Sequence, residues 1–114
     1  MGVAAMVLAQ VAPAPVIEPT ALDGHLDGSW RALNQAGSHI CNDAGLRQAH
    51  APLWARFQAV MDRAEDVLGR RPETEIYTNS YVRRANRRVF DRAINDAKRH
   101  LQAAERLMGE GEGN

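Results

Sequence analysis

The sequence predicts an all-α protein, a small helical bundle built on a long antiparallel helical hairpin with one additional N-terminal helix. Three observations predict it. Apolar residues recur at steps of three and four over three separate stretches, no stretch alternates with the period of two that a half-buried strand needs, and Gly or Pro falls between the stretches. The chain is 114 residues long, and without its terminal tails about 85 to 90 remain, close to the lower size at which one core is comfortably buried. Residues 1–19 read as an uncharged Ala/Pro-rich arm, 20–108 as a single helical domain and 109–114 as a flexible Gly/Glu tail.

Met1 to Ile17 carries no charge, and its apolar part is too short to span a bilayer. Val7 and Ala9 before Gln10 resemble the small-residue cleavage pattern of a secretory signal, but a basic leading region is missing. The expectation is therefore a cytoplasmic protein. The alternative is a periplasmic or secreted one, should Met1 lie inside a longer signal peptide.

From Thr20 to about Cys41, residues Leu22, Leu26, Trp30, Leu33 and Ile40 share a helix face, and Thr20 with Asp23 is placed to form a capping box. Gly24, Gly28 and Gly37 weaken this helix by about 1 kcal/mol each relative to Ala. Two short helices, the second capped by Asp27 or Ser29, are the alternative. Asn42 to Ala51 reads as a connection with room for one helical turn. Pro52 to Leu68 then carries a wide apolar face of Leu53, Trp54, Phe57, Val60, Met61, Ala64 and Leu68, ended by Gly69.

The longest periodic stretch is Ser80 to Met108. Phe90, Ile94, Ala97, Leu101, Ala104 and Met108 form its seam, Asn79 or Ser80 is placed to cap its start, and Gly109 to end it with a left-handed residue. Arg84, Arg88, Arg92, Arg99 and Arg106 fall on the opposite side. Arg83 and Asn86 continue the seam toward the N-terminus, where a buried core would want Leu or Val. A start at Ser80 crowds arginines against the positive end of the helix dipole. A start at Pro72, with Glu73 and Glu75 in the first turn, relieves that conflict, as does an anionic partner. The segment 72–79 is loop or helix accordingly, and Ile76, Tyr77 and Tyr81 near it read as local packing. As a loop, it lets the second and third helices form the hairpin, with the first laid across it through Trp30.

The formal net charge is zero, which argues against nucleic-acid binding through the whole surface, yet charge is segregated. Residues 1 to 30 contain no Lys or Arg, whereas Ser80 to Met108 contains seven Arg and one Lys against Asp91, Asp96 and Glu105. Thirteen of the fourteen cations are Arg, a bias that a GC-rich genome explains as readily as bidentate anion recognition.

Chemistry is sparsely represented. Cys41 is the sole cysteine, so intrachain disulfides and four-cysteine knuckles are excluded, and its default is a buried, inert thiol. His39, Cys41 and Asp43, with His25, Asp27 and His50 elsewhere, supply metal-ligating types in no established spacing. A nucleophilic pairing of Cys41 with His39 or His50 lacks an identifiable orienting group, and phosphate-binding glycine loops are absent. His100 flanks the seam as a partly buried packing residue.

No catalysis, no metal and no cofactor are expected. The sequence points to a protein–protein interaction subunit or adaptor in a homo- or hetero-oligomeric assembly, with Phe90, Ile94, Leu101 and Met108 as a self-association seam. Arg83, Arg84, Arg87, Arg88 and Arg92 are the residues placed to meet a partner or anion. A nucleic-acid-binding module using the same arginines is the less favoured alternative.

Overall fold

The computed structural model describes residues 19–74 and 85–109. It consists there of three helices: α1 (Pro19–Ser38), α2 (Ala44–Leu68) and α3 (Arg87–Leu107), with no strand among the described residues. The small all-α bundle expected from periodicity is what forms. Most of the N-terminal arm, Ile76, Tyr77, Asn79, Ser80, Tyr81, Arg83, Arg84 and all of the C-terminal tail beyond Gly109 lie outside the described residues.

α1 is one continuous helix in spite of its glycines. It opens on Pro19, whose missing N–H falls where a helix has no acceptor for it, so Thr20 is already helical and the Thr20–Asp23 cap is not the start. Leu22, Leu26, Leu33 and Ala36 are fully buried along its inner side. Ser29 caps nothing. Its hydroxyl is buried and donates to the Leu26 carbonyl at 2.9 Å, which satisfies it within its own helix.

The turn 39–43 reverses the chain. Cys41 adopts a left-handed φ of 53°, and the Asp43 side chain accepts from the Leu46 N–H at 3.0 Å to cap α2. α2 therefore begins eight residues before Pro52, not at it. Leu46, 2% exposed, anchors that extra turn in the core, and Pro52 and Gln48 both lie on the exposed side, where a missing backbone hydrogen bond is left to water. Gly69 ends α2 at φ 73°, as expected, with its N–H donating to the Glu65 carbonyl.

α3 starts seven residues later than Ser80 and far from Pro72, which lies outside any helix. Asn86 has extended φ and ψ, and its side chain accepts from the Val89 N–H at 3.1 Å. The residue that would have put an amide into the apolar seam is thus its N-cap, and the helix begins where the seam becomes apolar. Gly109, at φ 78°, follows its end.

α1 is the centre of the bundle and runs antiparallel to both neighbours. Along α3, His25 meets His100 at one end and the His39 carbonyl accepts from the Asn86 N–H at the other. Along α2, Leu33 faces His50, Trp30 faces Trp54 and Phe57, and Asp23 faces Arg70. The hairpin is therefore α1 with α2. α2 ends beside Asp23 and α3 begins beside His39, about 24 Å apart along α1 at 1.5 Å per residue, so no tight turn joins them as the sequence suggested. The most extensive helix contact is α1 with α3, because Gly28, Ala32, Ala36, Ala93 and Ala97 let the two backbones approach.

Candidate interaction surface

The predicted seam lies inside the protomer. Phe90 is 1% and Leu101 0% exposed, Ile94 is buried beside them, and Met108 is partly buried against the same core. In this fold the seam faces α1 of the same chain, so a second copy reaches these four residues only by taking the place of α1.

The cationic residues have the opposite environment. Arg87 and Arg88 occupy the first turn of α3, which contains no acidic residue, and both are exposed, as is Arg92 one turn on. Each first-turn arginine opposes the positive end of the helix dipole by a few tenths of a kcal/mol. Arg87 approaches Asp91 at 3.7 Å across two exposed side chains, a pair that stabilises little. Among the described residues Arg88 and Arg92 have no ion pair, and Asp96, a candidate partner for Arg92, is taken by Arg99. Arg83 and Arg84 lie outside the described residues.

The other end of the molecule treats its arginines differently. Arg70 makes a two-pronged contact with Asp23 at 2.7 and 3.3 Å, Arg71 bridges Asp62 and Glu65, and Arg56 engages both carboxylate oxygens of Glu105. These carboxylates hold the guanidinium pKa of all three above its ordinary value, chiefly by hydrogen bonding, against the opposing effect of desolvation. Arg56, Arg70 and Arg71 are thus matched closely within the chain, while at the start of α3 Arg87 has only the long contact to Asp91 and Arg88 and Arg92 have no ion pair among the described residues.

The remaining candidates are dispersed. Cys41 is exposed, not buried, because the left-handed turn turns it outward from the helix end on which its burial was expected. Asp43 is committed to capping, Asp27 pairs with Arg31 at 2.9 Å, and His50 Nε2–H donates to the Leu33 carbonyl at 2.9 Å. His39 Nδ1 is buried without a hydrogen-bond partner among the described residues. No group of three or more His, Cys, Asp or Glu comes together among the described residues.

Two side-chain pairings were not specified by the sequence. His25 and His100 place their Nδ1 atoms 3.2 Å apart, with His100 lying over Gly28, and burial followed by the neighbouring His25 and Arg99 lowers the His100 pKa below its ordinary value. An aromatic cluster of Trp30, Trp54 and Phe57 joins α1 to α2 with centroids 5.6 to 5.8 Å apart. The packing of α1 through Trp30 was expected, though not its specific partners Trp54 and Phe57, and nothing in either local stretch marks His25 and His100 as partners. No helix among the described residues is long and apolar enough to cross a membrane. Set against known protein families, curated proteins and solved structures, the chain matches none.

Proposed function

We propose that the protein is a non-catalytic helical interaction subunit that binds acidic surfaces of other protein chains, including a second copy of itself, through the first two turns of α3. The observation that carries this reading is a helix that opens with Arg87 and Arg88 where acids are favoured, followed by Arg92, with Arg88 and Arg92 outside any ion pair among the described residues. An anionic partner removes that unfavourable arrangement. An acidic surface exists on the same chain, since Asp62, Glu65 and Asp66 lie exposed on α2 with Val67, the one large apolar side chain well exposed among the described residues, although Asp62 and Glu65 already hold Arg71 there, which a partner's arginines would share or displace. An exposed lone thiol at Cys41 suits a reducing compartment, which supports the cytoplasm.

Size-exclusion chromatography with light scattering at low and moderate salt tests the proposal. The expected result is an oligomer or complex free of nucleic acid that dissociates as salt rises, and that Arg88→Glu with Arg92→Glu disrupts while circular dichroism stays unchanged. A species that is monomeric at every salt and captures no acidic protein overturns the reading. Co-purifying nucleic acid, seen in the 260/280 nm absorbance ratio and stripped by salt, overturns it in favour of a nucleic-acid partner.

A further inference from the structure

We infer that the cleft between α1 and α2 is a binding site for a compact amphiphilic anion, an aryl or medium-chain monocarboxylate. The cleft has a volume of about 380 Å³, within the range of small-ligand sites. Its walls are mainly apolar, with Gly37 from α1 and Ala51, Ala55 and the indole of Trp54 from α2 over the buried Leu33, and Asn34 of α1 adds one amide. Trp54 packs on Trp30 and Phe57, so that wall is held by the core and does not collapse into the cleft.

His50 completes the aromatic side. Its ring stacks on Trp54 at 6.1 Å and 17°, and its Nε2–H is fixed to the Leu33 carbonyl, which orients it across the two helices. Gly37 leaves the opposite side open, the nearest atom to a side chain built there being His50 Nε2 at 3.6 Å.

Arg47 supplies the charge. It lines the cleft near the start of α2, is exposed and has no ion pair among the described residues, and no acidic residue lines the cleft with it. The positive end of the α2 dipole adds to its field. A chain or ring therefore enters between Gly37 and Trp54, over Ala51 and Ala55, displacing water from apolar surface, while its carboxylate stays at the mouth on the guanidinium.

The test is a titration of the full chain with decanoate, kept below its micellar concentration, and in parallel with decanol, read as a blue shift of tryptophan emission as water leaves Trp54. The expected result is saturable one-to-one binding of decanoate, weakened about fivefold by Arg47→Gln, with decanol affinity unchanged by that substitution. Ala55→Phe and, separately, Ala51→Leu fill the cleft from exposed backbone positions and should abolish both, with helicity intact by circular dichroism. The site is overturned by a non-saturable response, or by binding that survives both filling variants. The anion assignment is overturned if decanoate binds Arg47→Gln as tightly as the parent.

Discussion

At the scale of single residues, Gly24 and Gly28 are four apart on α1 and have the same intrinsic cost, yet the structure separates them. A side chain at Gly24 meets nothing within 4 Å, whereas one at Gly28 lies 2.7 Å from the His100 ring. Gly24→Ala should therefore raise stability by about 0.5 to 1 kcal/mol. Gly28→Ala should fall short of it by about 1 kcal/mol or more, as His100 is driven from its seat; urea melts of the two variants decide this.

His100 also makes stability depend on pH. Its folded-state pKa is lowered from the ordinary 6.5 by burial, then by His25 and Arg99, with Asp96 opposing, so the unfolded chain binds more protons than the native one just below that value. Stability is full above about pH 6.5, falls as pH drops through the interval between the two pKa values, and levels off below the folded one. Denaturation curves at pH 7.5 and 5.0 should show the loss, and His100→Gln should diminish it. The seam residues Phe90 and Leu101, though legible as apolar, could not be assigned a partner from the sequence, because a helix face reports that it is buried and not against what.

At the scale of elements, helix ends were readable where local chemistry is sufficient. Gly69 and Gly109 adopt the left-handed geometry that ends α2 and α3, a conformation glycine reaches without steric cost. Helix starts were harder, since Ser80, Pro72 and Asn86 are all chemically competent and periodicity does not choose among them. The choice falls on Asn86 because a helix extended upstream would present Arg83 and Asn86 to α1 on the seam side, at a desolvation cost no local signal displays. Asn86→Ala and Asp43→Ala should each cost about 1 kcal/mol in thermal or urea unfolding, with the loss in α3 and α2 respectively visible as reduced amide protection. Pro52 misled for a related reason. Its position on the exposed side of α2 makes the missing hydrogen bond tolerable, so Pro52→Ala should stabilise, by about 1 kcal/mol or more.

At the scale of the whole molecule, α1 is what makes one domain of three helices. It covers Phe90, Ala93, Ile94, Ala97 and Leu101 of α3 on one side and receives Trp54 and Phe57 of α2 on the other. A fragment beginning at residue 44 should therefore lose cooperative unfolding and bind hydrophobic dyes, although it keeps α2 and α3 whole. A sharp melt of that fragment would mean that α2 and α3 pair without α1. Charge is likewise a property of the assembled molecule: equal numbers of cations and anions in the sequence resolve into paired Arg56, Arg70 and Arg71 on α2 and in the segment that follows it, and exposed Arg47 on α2 and Arg88 and Arg92 on α3 with no ion pair among the described residues. Whether an arginine is neutralised depends on carboxylates tens of residues away, as for Arg56 with Glu105 and Arg70 with Asp23.

The sequence by itself determined the class of fold, the three helical stretches, the apolar face of each and the glycines that end two of them. These follow from period, capping and backbone sterics, which act over a few residues. The tertiary structure alone decided that α1 is the central partner, that the seam is internal, that Cys41 faces outward, that His25 meets His100, and that a cleft with an arginine at its mouth opens between α1 and α2. Each of those depends on which faces meet and in what register, and hydrophobic burial, being non-directional, favours covering every apolar face without specifying its cover. Side-chain volume settles it: Gly28 and the alanines of α1 and α3 permit the closest approach, and the larger aromatic cluster of α2 takes the other side.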